Sequence, residues 1–598
     1  MDFTFFLLII LAFHNSGQVL TSKLKFSGPG EAFLFSTALG SILISVIMTV
    51  LVFSGLISSA VCWVILGVFF LIGWKNLLHL KHALNIFSSP QSIEEDGLKN
   101  MAQSFLGLLV LLSISLALAP AFATDALVYH LAVPKAFLQA GGLVNLPDNI
   151  YSFFPQQIEM LYLFALALGS DSLAQLTGLG VVFLLLFALW QYSKQKVGKS
   201  YAWLTPLIFI STPTFFSVAS SAYVDLQAAA YVFLAFYAWE NGCTRKQSSW
   251  FFLMTLFAGA AVATQITTVI VLPLAFLGLS IHGRTHKNTS QTAGQCLLLV
   301  LGSLLMLSPW LARNYFFTGN PLFFIDFLSL PINLIFFSEL QSLSFDGQIG
   351  ILYLLLLPAL LGLRRESYPA VIVFLVLLVF WFVQMQTIHL LAPAFVFLSM
   401  LMVSGLKQLF QQNSTGKREK FFLTTVLALG LLFNTSLIIK EWFRIEPLSY
   451  LLNKENREQF LTRQIKAYPI YQDANKMLTE NDRVILIDMK NLGYLMNQPF
   501  HNDARAETLT EIIDKGVYAA DIANRLQIRG INHALFNFDY VFGKDSALTF
   551  GEKAIFKNFL IQHGEQLSTK NGFLLYRFML DFNSENQNKN SGFNFEGH

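Results

Sequence analysis

The chain has 598 residues, of which 54% are hydrophobic and only 13% are charged, and its formal net charge is +3. Soluble domains carry about 25% charged residues, so this composition excludes an ordinary soluble protein, and the lack of a basic patch or arm argues against nucleic-acid binding. Repeated apolar runs, each long enough to cross a bilayer of roughly 30 Å, predict a polytopic α-helical membrane protein.

Apolar runs with the length of membrane spans follow one another through the first 440 residues. We expect about 11 to 14 spans, because several runs are close to the minimum length. The candidate spans cover residues 3–20, 34–54, 57–74, 105–123, 172–192, 200–219, 226–240, 250–264, 266–281, 294–312, 349–363, 367–384, 390–407 and 421–439. We divide them into N-terminal transmembrane helices, 1–104, and a second transmembrane region, 105–440, with an outer loop at 124–171.

Lysine and arginine cluster in short connectors, which indicates the cytoplasmic side of the membrane. Examples are Lys194 and Lys196 after the fifth span and Arg245 after the seventh. The extracytoplasmic side then receives residues 124–171, 220–225, 313–347, 384–389 and everything after residue 440. This orientation requires that the apolar segment 155–169 does not cross the membrane, so we predict a helix that lies on its outer surface.

After residue 440 the chain is charged and has no apolar run of membrane length. Helices are predicted at 456–466, 470–478 and 519–526, and strands at 483–488, 532–538 and 573–578. This alternation predicts a soluble α/β domain over 441–580. No glycine-rich phosphate-binding motif supports nucleotide binding. The Asn-rich tail 581–598 is predicted to be disordered.

Asp125 directly follows a predicted span, so we expect its carboxylate at the outer membrane surface. Acids at this level are costly unless they have partners or a function. A carboxylate held there could accept a proton from an attacking hydroxyl or amine. The alternative is a solvated acid at a helix end.

Further candidate side chains follow Asp125 in the outer loop. Lys135 could neutralise a phosphate, and Tyr129 and His130 could orient a ligand or a carboxylate. Glu159, on the predicted surface helix, lies beside two glutamines that suit sugar hydroxyls. Each of these residues also suits an ordinary membrane interface, where lysine extends its amine toward the headgroups.

Two other outer connectors carry candidate residues. Asp225 could share a divalent cation or divide catalytic work with Asp125, or it could simply stabilise the N-terminus of the next helix. Gln265 interrupts an apolar run, and His389 precedes another. Both could face the same outer cavity or be ordinary helix-end residues.

The stretch SPWLARNYFFTGNP, residues 308–321, ends a span with Pro309 and Trp310. We expect Arg313 and Asn314 to meet the outer water. Arginine is a natural bidentate partner for a lipid phosphate. The alternative is an anchor to lipid headgroups that has no substrate.

Four of these stretches together resemble the bacterial GT-C membrane glycosyltransferases, which include protein mannosyltransferase, aminoarabinose transferase and Rgt-type relatives. They are TDALVYHLAVPK (124–135), YSFFPQQIEMLY (151–162), AYVD (222–225) and PWLARNYFFTGNP (309–321). The resemblance implies a GT-C-like fold in the bacterial inner membrane, with the C-terminal domain and the active site on the extracytoplasmic side. It also implies inverting transfer of a sugar from a polyprenyl-phosphate donor to a lipid, glycan or protein acceptor.

In the roles that this resemblance implies, Asp125 is the base or the acceptor-binding acid, Asp225 is a second acid, and Arg313 contacts the donor phosphate. Some relatives use a divalent metal ion and others need none. Thr124 stands where many relatives have another acid, which removes a potential metal ligand. Gln265 and His389 stand where some Rgt-type relatives carry cations, which leaves fewer positive charges for a phosphate.

Two other classes of function remain as alternatives. A transporter or flippase of lipid-linked saccharides would place ionisable residues at mid-membrane and show internal repeats. The candidate residues instead gather at one predicted face, and no repeat is evident, which favours an enzyme. A non-catalytic assembly protein, with the C-terminal domain as its binding module, is the other alternative.

Overall fold

The structure is a computed structural model of the chain. It describes residues 1–22, 24–73, 96–286, 289–325, 349–355, 359–360, 363–383, 387–411, 416–502, 513, 518–544, 546 and 548–580. The chain forms two compact units. We call the first the helical unit; it comprises Met1–Ala126, Val133–Asn145 and Tyr151–Glu455. The second, the sheet unit, comprises Leu127–Ala132, Leu146–Ile150 and the chain from Asn456 onward.

Long helices build most of the helical unit. They are Asp2–Thr21, Pro29–Phe53, Asp96–Ala117, Asp171–Val197, Asp225–Arg245, Thr289–Thr318, Ala392–Gln411 and Lys417–Ile445. Shorter helices are Ser59–Gly73, Glu159–Leu168, Lys199–Ala202, Leu204–Ile210, Pro213–Ala219, Ser248–Thr264, Val271–His286, Tyr368–Val383 and Pro447–Leu451. The apolar runs form helices because an α-helix pairs the polar groups of its backbone within the segment, as a bilayer demands.

Nine helices within the described residues are long and apolar enough to cross a membrane, or ten if the bent pair Lys199–Ile210 and Pro213–Ala219, angled at 81°, counts as one span. Three further predicted spans correspond to Ser59–Gly73, Asp225–Arg245 and Ser248–Thr264. The predicted span 349–363 lies partly outside the described residues. The prediction of a polytopic helical membrane protein is therefore confirmed.

The first two helices approach each other closely because both carry glycine at their contact. A Cβ on Gly17 would lie 1.7 Å from the carbonyl oxygen of Ser36, and one on Gly40 would lie 1.6 Å from the carbonyl oxygen of Phe13. Thr21 and Ser36 share a hydroxyl hydrogen bond of 2.6 Å beside this contact. Small residues allow such close packing in membranes, where hydrocarbon provides no hydrophobic force between helices.

Helix Asp225–Arg245 separates the two polar ends of the helical unit. Its 21 residues span about 30 Å at 1.5 Å per residue, which matches the hydrocarbon thickness of a bilayer. At its last residue, Arg245 donates two hydrogen bonds to the buried carboxylate of Glu31, at 2.9 and 2.7 Å. Asp225, at its first residue, therefore lies at the opposite face from this ion pair.

The segment predicted as a surface helix is buried instead. Glu159–Leu168 forms a helix that packs against Pro29–Phe53, Ser59–Gly73 and Asp171–Val197. Its sequence, EMLYLFALAL, is apolar on all sides after the first residue. A helix that is hydrophobic all round suits complete burial rather than an interface, where one polar face is needed.

The sheet unit contains a five-stranded sheet with the order β2-β1-β3-β5-β4. The strands are β1 Val484–Ile487, β2 Phe500–Asn502, β3 His533–Asn537, β4 Gly564–Lys570 and β5 Phe573–Phe578. The helices of this unit are Arg457–Gln464, Tyr468–Met477, Ala519–Ile528, Phe538–Phe542 and Phe550–His563. Strand β1 pairs in parallel with both β2 and β3, whereas β5 pairs antiparallel with β3 and β4. This arrangement confirms the predicted α/β fold of the C-terminal part.

Strands β2 and β4 were not predicted from the sequence. Strand β2 has only three residues, and β4 (GEQLSTK) lacks the apolar alternation of a half-buried strand. The last long helix of the helical unit is Lys417–Ile445. It continues past residue 440, where the sequence predicted the domain boundary. The predicted disordered tail, 581–598, lies outside the described residues.

Candidate functional site

Asp125 is half-buried and lies farther from its helix than the sequence predicted. The helix ends at Ala117 rather than at residue 123, and the chain then runs without regular structure to Ala123. Side chains at the start of helix Asp171–Val197 hold this segment, because Gln175 donates to the carbonyl oxygen of Ala119 at 2.8 Å. Asp125 therefore follows a pinned loop and lies at the start of the next helical segment, which continues into the π-helix Ala126–His130.

Asp225 and Gln265 come from separate connectors and meet directly. Nε2 of Gln265 donates a hydrogen bond to Oδ1 of Asp225 at 2.6 Å. Asp225 is 3% exposed and begins its helix. Gln265 ends helix Ser248–Thr264 in an extended conformation, before the chain continues into Val271–His286. The helix break thus turns a polar side chain toward the buried carboxylate.

The amide oxygen of Gln265 is buried and accepts no hydrogen bond from any residue that the structure describes. Asp225 and Gln265 together offer fewer protein oxygens than the about six to eight that calcium takes. No group of three or more His, Cys, Asp or Glu residues that could hold a metal occurs in the described ranges. A divalent ion at Asp225 would therefore need ligands from water or substrate.

Tyr223 links Asp125 to Asp225 electrostatically. Burial raises the pKa of the Tyr223 phenol, and the negative charges of Asp125 and Asp225 raise it further. A hydrogen bond holds the connector 220–225 in place, because the phenol O–H of the buried Tyr162 donates to the carbonyl oxygen of Tyr223. Both carboxylates therefore act on one half-buried phenol, although about 100 positions separate them in the chain.

Arg313 and Asn314 are buried, which corrects the expectation that they meet the outer water. They are 2% and 0% exposed. Arg313 donates to the carbonyl oxygen of Phe154 at 3.0 Å and to Oε1 of Gln156 at 3.3 Å, while Asn314 donates to the carbonyl oxygen of Phe153 at 2.9 Å. These bonds pin the aromatic stretch of residues 151–157 to the end of helix Thr289–Thr318.

The surroundings of Arg313 complete this polar cluster. Its guanidinium lies 5.3 Å from the ring centroid of Trp310, and two of its N–H groups donate to Oδ1 of Asn314. The buried Glu159 is close enough to interact electrostatically with the guanidinium. A cation so fully occupied by protein groups is poorly placed for a mobile lipid phosphate.

The other predicted residues lie in different settings. Lys135 is half-buried on helix Ala132–Ala140. Tyr129 and His130, assigned to the sheet unit, lie in the π-helix Ala126–His130, with ring centroids 4.0 Å apart. His389 lies in the turn Ile388–Leu391, with its ring 6.2 Å from that of Tyr223. The neighbouring glutamines 384 and 386 lie outside the described residues.

A cavity of about 720 Å³ in the helical unit adjoins Thr124 and His389. Two cations that sequence reasoning did not select, Lys440 and Arg444, line it from helix Lys417–Ile445. A signal was present, because lysine and arginine flanking Trp442 at the end of an apolar helix mark a membrane interface. What the sequence did not reveal is that these residues share a cavity with Thr124.

The fold has known counterparts. A family described as dolichyl-phosphate-mannose-protein mannosyltransferase matches residues 160–312. ArnT from Cupriavidus metallidurans in the apo state is similar with a TM-score of 0.52 and 14% identity, over 80% of this chain and 97% of that chain. ArnT from the same organism bound to undecaprenyl phosphate gives a TM-score of 0.50 and 14% identity, over 80% and 98% of the two chains. No curated protein sequence matches the chain.

These findings show the fold that the sequence resemblance predicted. The chain has the fold of a GT-C membrane glycosyltransferase, with a helical membrane unit and a C-terminal α/β unit. The family match covers Asp225 and Gln265, whereas Asp125, Arg313 and His389 lie outside it. The roles of all these residues stay predictions.

Proposed function

We propose that this protein is a membrane glycosyltransferase that moves a sugar from a polyprenyl-phosphate donor to an acceptor on the extracytoplasmic side. The observation that carries the proposal is the convergence of Asp125 and Asp225 on Tyr223, beside a cavity lined by hydroxyl and basic groups. The ArnT fold supports it, because one ArnT structure holds undecaprenyl phosphate.

In this reaction Asp125 is the general base. It takes the proton from the acceptor hydroxyl or amine as that atom forms a bond to the anomeric carbon. The bond between the anomeric carbon and the phosphate oxygen breaks, and the polyprenyl phosphate leaves with the electron pair. Attack from the side opposite the leaving phosphate inverts the anomeric configuration. Asp125 suits this role because its half-buried carboxylate is accessible, unlike that of Asp225.

Asp225 is the second acid, and Gln265 holds one of its oxygens in place. The buried carboxylate orients the connector 220–225, which also carries Tyr223. For the donor phosphate, Lys135 is the better candidate among the predicted cations, because its side chain is half-buried whereas Arg313 is only 2% exposed. Lysine is a compact cation on a flexible stem and can follow a lipid-borne phosphate.

A flippase for lipid-linked saccharides is the second candidate. The broken helices favour it, since the pair Lys199–Ile210 and Pro213–Ala219 is bent by 81° and another break follows Gln265. Transporters use such breaks to build sites at mid-membrane. Here, however, Asp225 begins its helix and Arg245 ends it, so these charges lie at the membrane faces.

The test compares purified wild-type protein with Asp125→Asn and Asp125→Glu, each given a panel of undecaprenyl-phosphate sugars with and without divalent metal. The readout is loss of sugar from the lipid. We expect turnover by the wild type, a loss of about 100-fold or more in Asp125→Asn, and partial activity in Asp125→Glu, which keeps a carboxylate.

Undiminished turnover in Asp125→Asn would remove Asp125 as the base and leave the transferase intact. If the wild type turned over no donor but moved lipid-linked saccharide across liposome membranes, the flippase would replace the transferase. Adding metal also tests the open question of the cofactor, because a metal-dependent enzyme gains turnover only in the supplemented samples.

A further inference from the structure

The roles assigned above do not use Lys440 or Arg444, which line the cavity beside Thr124, and the lining of this cavity has the character of a lipid site. We propose that it binds an anionic lipid, with the charged head at Lys440 and Arg444, and that this lipid is the sugar acceptor. The inference rests on the proposed function for the acceptor role. The binding site itself stands on the geometry of the helical unit.

The cavity is lined by both apolar and polar side chains. The apolar ones include Leu116, Phe122, Leu437, Ile438 and Trp442. Hydroxyl groups come from Thr124, Thr214, Ser217, Ser220 and Ser221. An occupant that satisfies both kinds of lining carries hydrocarbon as well as hydrogen-bonding groups, as membrane lipids do.

The last long helix supplies the charge. Leu437, Lys440 and Arg444 follow one another at three- and four-residue spacing, which places them along one helix face. Arg444 donates to the carboxylate of Glu441, with Nε at 2.8 Å, so these two charges balance. The side-chain amine of Lys440 forms no hydrogen bond or ion pair with any residue in the described part of the chain. The cavity therefore has an excess positive charge that an anionic head would neutralise.

Hydrogen bonding and helix packing hold the elements around the cavity together. Nε1 of Trp442 donates to Oγ of Ser115 at 2.8 Å, which ties helix Lys417–Ile445 to helix Asp96–Ala117. Helix Pro213–Ala219, which carries Thr214 and Ser217, also packs against both of these helices. The cavity is thus built by the packing of three elements and not by a loose loop.

The position of the cavity argues for the acceptor rather than the donor. Thr124 precedes the proposed base Asp125, and His389 in the cavity wall faces Tyr223, which senses Asp125. The base must contact the attacking hydroxyl or amine. In an inverting displacement the leaving phosphate lies on the side of the anomeric carbon opposite the base. The cavity next to the base therefore holds the acceptor, which carries the attacking hydroxyl or amine.

The experiment measures lipid binding without any sugar donor. The full chain is placed in phosphatidylcholine bilayers with trace spin-labelled phosphatidic acid or spin-labelled phosphatidylcholine of identical chains. The protein-bound fraction of each label gives the preference for the anionic head. Lys440→Gln with Arg444→Gln is compared with Arg418→Gln with Lys420→Gln, which removes the same two charges from the other end of the same helix.

We expect the wild type and the control pair to prefer phosphatidic acid. The Lys440/Arg444 pair should lose about fivefold of this preference per basic residue, as is typical of a basic group at a membrane surface. The charge-conserving pair Lys440→Arg with Arg444→Lys should keep it, which excludes a folding defect. Equal preference in all proteins would overturn the site and leave Lys440 and Arg444 as interface anchors.

A second arm separates acceptor from donor. Undecaprenyl phosphate is added at the concentration of the labelled phosphatidic acid. If the label stays bound, the acceptor assignment is supported; if undecaprenyl phosphate replaces it, the cavity belongs to the donor and the assignment is overturned. A protein that binds phosphatidic acid through Lys440 but never transfers sugar would contradict the proposed function and the acceptor role, while the anionic-lipid site would be supported.

Discussion

Gln265 donates a hydrogen bond to Asp225 across 2.6 Å, joining a helix break to the first residue of another helix. The two residues lie 40 positions apart in the chain. Asp225 is buried and cannot be oriented by water, so the orientation of its carboxylate depends on the hydrogen bond from Gln265. The contact makes Gln265 a positioning residue for the proposed second acid.

Replacement of Gln265 by Ala should lower turnover of the donor by about 10- to 100-fold, because a hydrogen bond to a charged group contributes roughly 1.5–3 kcal/mol. We expect the loss in kcat rather than in KM for the donor. Gln195→Ala is the matched control, since Gln195 donates to Tyr237 at the other end of the helical unit. Equal effects of the two variants would mean that the Gln265 contact is purely structural.

Arg313 should matter for stability rather than for donor affinity. Arg313→Leu removes the donors to Phe154 and Gln156 and leaves buried acceptors unpaired, which costs about 3–5 kcal/mol. Thermal unfolding in detergent measures the loss. The exposed Arg284→Gln on helix Val271–His286 is the control and should change stability by about 0.5 kcal/mol or less.

The variant Arg313→Lys distinguishes a structural role of Arg313 from binding of the donor phosphate. Lysine cannot reproduce the planar fork of arginine, so Arg313→Lys should also lower the unfolding temperature. A stable Arg313→Lys protein with a raised KM for the donor would restore the phosphate role that the sequence resemblance implied.

The ion pair between Glu31 and Arg245 should stabilise the helical unit at its other face. Glu31→Gln leaves the partly buried guanidinium of Arg245 without its carboxylate and should cost about 1.5–3 kcal/mol. The more exposed pair Lys196 and Glu240 offers a contrast, because Glu240→Gln should cost about 0–1 kcal/mol. In the double variant Glu31→Gln with Arg245→Gln, the loss should be smaller than the sum of the single losses.

The sheet unit should lose stability as the pH falls, through His533 at the start of β3. Burial lowers the pKa of His533 below its usual 6.5, the charge of Arg577 lowers it further, and Asp482 opposes both. The folded pKa is below the unfolded one, so the stabilisation is fully present above about pH 6.5 and is lost as the pH falls through the folded pKa. His533→Asn should remove this pH dependence.

Hydrogen exchange of the β1 and β3 peptides in the full chain measures this effect, after correction for the intrinsic pH dependence of exchange. Fluorescence is unsuited, because the sequence has no tryptophan after Trp442. A wild-type exchange profile that matches that of His533→Asn from pH 7.5 down to about 5 would show that His533 does not control the stability of the unit.

Local patterns in the sequence were enough to locate most helices and three of the five strands. Helix Asp171–Val197 and strand β5 follow directly from an apolar run and from a β-rich segment, because backbone bonding is satisfied within the element or its neighbour. Strand β4 was missed because its residues are polar, and only its pairing with β5 makes it a strand.

The candidate site divides in the same way. The sequence by itself determined that Asp125, Asp225, Gln265 and His389 fall in connectors between apolar helices, since polar residues interrupt the runs there. Only the tertiary structure decided that Gln265 meets Asp225, since their contact depends on how two helices pack.

Which residues are buried was also decided by the tertiary structure. Helix Glu159–Leu168 and Arg313 were expected at a surface, yet both are enclosed by other helices. Lipid hydrocarbon and a packed protein interior select the same apolar residues, so a membrane sequence marks where its helices lie but not which of their faces meet lipid. The contacts of Lys440 and Arg444 with a cavity, and of Arg313 with protein, are therefore properties of the packed helices alone.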